Sequence, residues 1–94
     1  MIVKKGNRYL IEGQVTLDNV GGLIAEGTAF DGDNVIVDLA GLTRADSSVL
    51  SLLLEWTRRF TSSGRRIAFA NLSHDLRSLA DLYGVVDLIP VAAD

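Results

Sequence analysis

The sequence has 94 residues, and its nine Lys and Arg against twelve Asp and Glu give a formal net charge of −3. A chain of this length predicts one domain, residues 1–94, with a single core and little room for a deep catalytic cleft. The acidic balance disfavours nucleic-acid binding, because nucleic-acid-binding domains usually carry a basic excess. Since the chain has no cysteine, disulfides and thiolate metal sites are excluded.

Hydrophobic residues make up 48% of the chain, a high share for so small a domain. The apolar stretches are far shorter than the roughly 18–20 residues of a transmembrane helix, so we expect no direct membrane insertion. No apolar segment follows Lys4 and Lys5, so we expect no signal peptide and a cytoplasmic location. Part of the apolar surface is expected to face a partner, or a second copy when the chain is isolated.

The first third of the chain predicts two strands and a helix. Residues 8–12 and 14–17 alternate weakly between apolar and polar side chains on either side of Gly13. This pattern indicates two strands, or one strand bent at the glycine. Asp18 is the expected N-cap of a helix that carries apolar residues at helical spacing over residues 20–24.

The middle of the chain contains the strongest strand and helix signals. Residues 35–39 form a nearly continuous apolar, β-branched run, which predicts a central strand buried on both faces. A loop over residues 40–45 is expected to follow this strand. The helix predicted over Ser48–Ser62 has an apolar stripe at three- and four-residue spacing, and Gly64 is its natural stop.

The last third predicts a strand at residues 67–70 and a helix that begins after the N-cap Ser73 and ends at Gly84. Residues 85–89 are expected to form a short closing strand or an apolar tail. Because strands and helices alternate, we predict an α/β fold with a mixed sheet of four or five strands and helices packed mainly on one face.

The inventory of reactive side chains argues against catalysis. The sequence has no phosphate-binding loop, so we expect no nucleotide or other cofactor, and it shows no cluster of metal ligands. His74 is the only histidine, and its place in the first turn of a helix favours an exposed surface residue over a Ser-His-Asp triad. Asp38 and Asp46 are interpreted as turn or cap residues rather than as paired catalytic carboxylates. We therefore predict no catalytic and no metal-binding residues.

One segment, residues 46–48, combines a carboxylate and two hydroxyls at the start of the long helix. Backbone N–H groups at a helix N-terminus are unpaired, and the helix dipole favours negative charge there. One interpretation makes Asp46 or Ser47 a simple N-cap. The other makes Ser47 an exposed contact residue or a phosphate acceptor, where a charge change of about −2 would switch partner binding.

Residues 35–54 resemble the signature of STAS domains, the fold of the bacterial anti-sigma factor antagonists. In that family an apolar-apolar-Asp-Leu strand is followed by Asp-Ser-Ser or Asp-Thr at a helix start. Here Asp38-Leu39 and Asp46-Ser47-Ser48 stand in those places. The resemblance implies a STAS fold over nearly the whole chain, and it places the family's phosphorylatable position on Ser47 or, in an alternative alignment, on Ser48.

Beyond this turn the sequence is similar to the MlaB branch of the family, the small cytoplasmic STAS subunit of the Mla phospholipid ABC transporter. The anti-sigma factor antagonists typically have glycines where this chain has Val49 and Ser51. The run Leu-Ser-Leu-Leu-Leu-Glu-Trp at residues 50–56 is similar to the Leu-Ala-Leu-Leu-Leu-Glu-Trp helix of the MlaB branch. Residues 76–85 resemble the last helix of that branch.

The resemblance implies a non-catalytic accessory subunit that binds and regulates the cytoplasmic ATPase of such a transporter and lies at the inner membrane through this partner. The alternative that the family offers is an antagonist of an anti-sigma factor kinase, regulated by phosphorylation of its serine. Trp56 and Tyr83 are interpreted as either core or interface aromatics. The expected contact surface is the turn and the exposed flank of the following helix, namely Asp46, Ser47, Ser48, Ser51 and Glu55.

Overall fold

The computed structural model describes residues 1–92 of the chain as an α/β fold. Its strands are β1 Ile2–Lys5, β2 Arg8–Ile11, β3 Gly13–Val15, β4 Asn34–Asp38, β5 Leu42–Ala45 and β6 Arg66–Ala70. Its α-helices are α1 Val20–Glu26, α2 Ser48–Ser62 and α3 His74–Leu82, and single 3₁₀ turns occupy Gly27–Ala29 and Val86–Leu88. No helix within the described range is long and apolar enough to cross a membrane.

Four strands form a mixed sheet in the order β1-β2-β4-β6. β1 and β2 are antiparallel, whereas β2, β4 and β6 are parallel, so that Val37 lies opposite both Tyr9 and Phe69. The strand predicted at residues 35–39 is therefore confirmed as a central strand. The predicted mixed α/β sheet is confirmed as well.

Burial alternates along β4. Val35 and Val37 are almost fully buried and belong to one core cluster with side chains of α1 and α2, whereas Ile36 and Asp38 are only half-buried. The expectation that this strand is buried on both faces is therefore wrong. A parallel strand is apolar on both faces only where helices cover both, and here the helices cover mainly one.

Two strands lie where the sequence gives no strand signal. β1 precedes the first predicted strand, and β5 falls within residues 40–45, which the sequence predicts as a loop. β5 pairs in parallel with β3 to form a separate two-stranded sheet, and the positive φ of 91° at Gly13 sits where β2 ends and β3 begins. Since the side chains of β5 are mostly exposed, no alternation marks this strand in the sequence.

The N-cap predicted for α1 and the predicted closing strand also differ from the structure. Asn19, not Asp18, precedes α1, and its Oδ1 accepts a hydrogen bond from the Thr16 N–H at 2.9 Å. Residues 85–89 contain a 3₁₀ turn instead of a strand. The chain returns to β6 only beyond Pro90, where Val91 pairs with it through an isolated bridge.

Trp56 of α2 lies at the centre of the core, with 1% of its surface exposed. Its indole Nε1 donates to the carbonyl oxygen of Ile24 at 3.2 Å, and its ring centroid lies 5.0 Å from that of Phe30. The backbone of Gly27 passes so close to the indole that a Cβ at this position would collide with it. Of the two roles that the sequence leaves open for Trp56, the structure assigns core.

We expect Gly27→Ala to destabilise the fold by about 1–3 kcal/mol, because the added methyl would displace Trp56. Gly27 has an ordinary helical φ of −63°, so the collision is the only penalty. The matched control is Gly22→Ala in α1, where nothing lies within 4 Å of the new Cβ and a gain of up to about 1 kcal/mol is expected. Urea unfolding midpoints measure both, and an unchanged midpoint for Gly27→Ala would contradict the close contact.

Candidate functional site

The Asp46 carboxylate joins the start of α2 to the loop after β3. One carboxylate oxygen accepts from the Ser48 N–H at 2.8 Å, and the other accepts from the Leu17 N–H at 3.1 Å. The Asp46 N–H donates to the carbonyl oxygen of Val15 at 3.2 Å. These contacts fix the turn ahead of α2 against the neighbouring loop.

Hydrogen bonding keeps Asp46 ionised. The Ser48 hydroxyl is the main cause that lowers the pKa of Asp46, followed by the N–H groups of Ser48 and Leu17, and the charge of Arg44 acts in the same direction. Each of these donors stabilises the anion and not the neutral acid. Both oxygens of the Asp46 carboxylate are therefore engaged in hydrogen bonds at the turn. The role of Asp46 is to hold this turn in position.

The two serines of the turn differ in what their hydroxyls contact. Ser47 occupies the N-cap position of α2, but its side chain caps no N–H group and has no hydrogen bond among residues 1–92. Ser47 is exposed, whereas Ser48 is half-buried and its hydroxyl lowers the pKa of Asp46. Of the N-cap interpretations, the structure supports Asp46 as the capping side chain and leaves the Ser47 hydroxyl free.

A groove of about 320 Å³ runs from Ser47 along α2 towards the end of α3. We call it the α2–α3 groove. Tyr83, at the C-terminus of α3, is 59% exposed, so its ring forms an accessible apolar wall. The structure therefore places Tyr83 at the surface, in contrast to Trp56. The residues that line the groove are Ser47, Leu50, Ser51, Leu54, Tyr83 and Val85.

Glu55, which is expected on the same surface, forms ion pairs within α2. Arg58 donates to its carboxylate from Nε at 3.0 Å and from Nη2 at 2.6 Å, and Arg59 Nε donates at 2.7 Å. These hydrogen bonds, with Arg58 first, lower the pKa of Glu55 to about 2. Glu55 does not line the α2–α3 groove, so the structure brings Ser47 and Ser51 together there without it.

A larger cavity of about 790 Å³ opens at the carboxyl ends of β4 and β6, where open α/β sheets commonly bind ligands. Leu39 and Leu76 are part of its apolar lining, and Arg44 and Asp75 stand at its rim. His74 is exposed in the first turn of α3, as predicted, and is not part of the lining. Within residues 1–92 no group of His, Asp and Glu side chains is arranged to hold a metal ion.

Asp38 has partners of its own and forms no pair with Asp46. Its Oδ1 accepts from Asn71 Nδ2 and from the Ala40 N–H, both at 2.9 Å, and its Oδ2 lies 3.5 Å from Arg8 Nη1. The hydrogen bond from Asn71 is the main cause that lowers the pKa of Asp38. Asp38 and Asp46 thus each stabilise a turn, which agrees with their interpretation from the sequence as turn or cap residues.

The chain belongs to the STAS domain family. Residues 10–90 match the family model described as "Mlab, STAS domain". The matched range contains the turn at residues 46–48 and every residue of the α2–α3 groove. No curated protein matches the sequence.

Solved structures of STAS domains superimpose on the whole fold. The unphosphorylated anti-sigma factor antagonist SpoIIAA aligns with a TM-score of 0.73 at 19% identity and covers 100% of this chain and 88% of that chain. The phosphorylated form of SpoIIAA from Bacillus aligns with a TM-score of 0.69 at 17% identity, covering 100% and 91%. A sulfate transporter family protein from Wolinella succinogenes aligns with a TM-score of 0.71 at 14% identity, covering 93% and 75%. At these identities the likeness establishes the fold alone.

The sequence does not identify three apolar residues next to the turn. Leu17 is 78% exposed beside Asp46 although it ends a predicted strand, and Leu54 and Val85 line the α2–α3 groove although both belong to apolar runs. An apolar pattern marks which residues share a face, but it does not tell whether another element covers that face. No signal in the sequence singles out Leu17.

We expect Asp46→Ala to lower the melting temperature, because the N–H groups of Ser48 and Leu17 would lose their acceptor. Asp46→Asn keeps an acceptor oxygen and should recover part of the loss. Ser47→Ala should change stability by less than about 0.5 kcal/mol, since the Ser47 hydroxyl has no hydrogen bond in the described part of the chain. Thermal melts of the three variants test this, and a loss at Ser47→Ala equal to that at Asp46→Ala would refute the assignment of the cap.

Acid should weaken the fold in part through Glu55. Its folded pKa of about 2 lies below its ordinary value of 4.5, so the unfolded chain binds a proton first as the pH falls. The stabilisation by Glu55 is complete above pH 4.5 and is lost progressively towards pH 2. Melting temperatures measured from pH 7 to pH 2 should fall less steeply for Glu55→Gln than for wild type. The control Glu26→Gln removes an exposed carboxylate of α1 that has no ion pair within residues 1–92, and it should follow wild type.

Proposed function

We propose that this chain is a non-catalytic accessory subunit that binds and regulates the cytoplasmic ATPase of a phospholipid-transporting, Mla-type ABC transporter. The observation that carries the proposal is the α2–α3 groove, which begins at the free hydroxyl of Ser47 and is walled by the exposed ring of Tyr83. Membership of the family described as "Mlab, STAS domain" supports the choice of partner. Neither the α2–α3 groove nor the larger cavity at the carboxyl ends of β4 and β6 is lined by a carboxylate pair or a histidine from residues 1–92. This favours binding over catalysis.

The proposed interface centres on the turn at residues 46–48. The apolar walls of the groove, Leu54 and Tyr83, would receive apolar side chains of the ATPase, and the hydroxyls of Ser47 and Ser51 would form hydrogen bonds at its floor. Leu17 extends this surface, since its backbone is bonded to Asp46 and its side chain is 78% exposed. A rigid turn suits this role because little conformational freedom is lost when the partner binds.

The size of the domain requires a larger footprint than the groove alone. A standard interface buries about 800 Å² on each partner, which is about one seventh of the 5487 Å² surface of this domain. The turn, the groove and Leu17 would form the centre of such an interface, and further exposed parts of α2 and α3 would complete it. The same apolar side chains would favour self-association of the isolated chain, and the partner would hold the subunit on the cytoplasmic side of the inner membrane.

We expect Ser47→Asp to weaken the complex with the ATPase by at least about tenfold while the domain stays folded. A negative charge in the first turn of a helix is favourable for the helix dipole, but here it would lie against apolar partner atoms and beside the Asp46 carboxylate. Tyr83→Ser should also weaken the complex, because the α2–α3 groove would lose its aromatic wall. Biolayer interferometry with the ATPase encoded in the same operon measures both affinities.

Ser78→Asp is the matched control, because Ser78 is exposed on α3 and lines neither the α2–α3 groove nor the larger cavity. It should bind the ATPase as wild type does. Equal binding by Ser47→Asp and wild type would reduce Ser47 to a structural residue and remove the groove from the interface. Failure of the wild-type chain to co-purify with the ATPase would remove the proposed partner.

A second candidate function is an anti-sigma factor antagonist regulated by serine phosphorylation, and one observation favours it. The Ser47 hydroxyl is exposed at a helix N-terminus and has no hydrogen bond within residues 1–92, and a phosphate there would be stabilised by the dipole and opposed by Asp46. Ser48 is the weaker acceptor because it is half-buried and its N–H is bonded to Asp46. Incubation with the anti-sigma factor kinase and ATP, followed by mass spectrometry of wild type and Ser47→Ala, decides between the two functions.

A further inference from the structure

A second groove, of about 500 Å³, lies at the amino-terminal ends of β4 and β6, beside the last turns of α2 and residues 90–92. We call it the basic groove. It shares no lining residue with the α2–α3 groove. Its volume falls within the range of about 300–1,000 Å³ that small-molecule sites occupy.

The polar side chains of the basic groove are donor-rich. They are those of Arg, Asn and Thr, among them Arg65, Arg66, Asn7 and Asn34, and within residues 1–92 neither Asp nor Glu is part of the lining. Guanidinium groups present several N–H donors in a planar fork that matches carboxylate and phosphate oxygens. A recess that the described residues line with two cations and no carboxylate therefore favours an anion.

The two arginines are available in different ways. Arg65 is held in place because its Nε donates to the Gly32 carbonyl at 2.8 Å, its Nη2 donates to the Phe30 carbonyl at 2.6 Å, and its guanidinium lies 4.1 Å from the Phe60 ring centroid. These partners are neutral, so the charge of Arg65 is not cancelled. Arg66 is exposed, and its side chain has no ion pair or hydrogen bond within residues 1–92.

The rest of the lining is apolar. Ile36, Ala68 and Pro90 are half-buried there, and Val91 is 45% exposed. These side chains lie on the less covered part of the sheet and on the segment that follows it. They would shield a short hydrocarbon chain from water once a charged head is bound at the arginines.

We propose that the basic groove binds a small anionic amphiphile, with its carboxylate or phosphate head against Arg65 and Arg66 and its alkyl chain along Ile36 and Val91. The charges of Arg65 and Arg66 support this orientation, because neither guanidinium has a carboxylate partner within residues 1–92. The proposal does not depend on the partner proposed above.

The test is a titration of the full ¹⁵N-labelled chain with decyl phosphate or decanoate below the micelle concentration. We expect saturable shifts at the amides of Ala68 and Val91, and none at Ser47. Arg66→Gln should weaken binding about tenfold, the value of a charged hydrogen bond. Arg77→Gln removes an exposed arginine that lines neither groove, so it should leave the affinity unchanged.

Three further ligands test whether the alkyl chain alone, the anionic head alone or a membrane surface accounts for binding. Decanol without a charge and inorganic phosphate without a chain should each bind at least about tenfold more weakly than decyl phosphate; equal binding by either would overturn the amphiphile. Binding to phosphatidylglycerol vesicles without binding to the monomeric amphiphiles would indicate a membrane-facing surface and overturn the groove as a site. Absence of saturable shifts, or shifts centred on the α2–α3 groove, would overturn it as well.

Discussion

The helical period of α2 is the constraint on which the rest of the structure depends. Residues three and four positions apart share one face of a helix, so Val49, Leu53 and Trp56 point into the core while Ser47 and Ser51 remain exposed. Both faces belong to one continuous helix of 15 residues. The position of the exposed serines is therefore set by the core contacts on the opposite face.

The core contact that fixes α2 most tightly is that of Trp56 with α1 and the residues after it. The indole fills the space that Gly27 leaves open and donates to the backbone of Ile24. An aromatic side chain that is packed and also hydrogen-bonded can shift neither along nor around the helix axis without cost. The start of α2 is tied separately by Asp46 to the loop after β3, so the helix is held at two points.

This double attachment separates structural from accessible groups in the candidate site. The Asp46 carboxylate and the Ser48 N–H are hydrogen-bonded to each other within the turn. Glu55 forms ion pairs with Arg58 and Arg59. The groups left accessible in the α2–α3 groove are the hydroxyls of Ser47 and Ser51, together with apolar side chains. The opposite end of the sheet has a different character, because within residues 1–92 its recess is lined by cations and by no carboxylate. The two ends of the domain thus present different chemistry at their surfaces.

The elements with a local signal can be predicted from the sequence alone. The bounds of α2, the start of α3 after Ser73 and the central strand follow from apolar period and capping, which act between near neighbours in the chain. The sequence also located the turn at residues 46–48, since a carboxylate followed by two hydroxyls marks a helix start.

Features that depend on a contact with a distant segment become visible only in the folded domain. β5 exists because β3 pairs with it, and residues 85–89 turn because the chain rejoins the sheet later, at Val91. Trp56 and Tyr83 both stand at helical spacing on apolar stripes, yet one is buried and the other is exposed. The reason is that a stripe fixes direction around a helix, whereas burial requires another element to cover it, and α3 ends before anything covers Tyr83. The same holds for Ser47 and Ser48. Their contacts differ because the Asp46 carboxylate is directed at the N–H of Ser48.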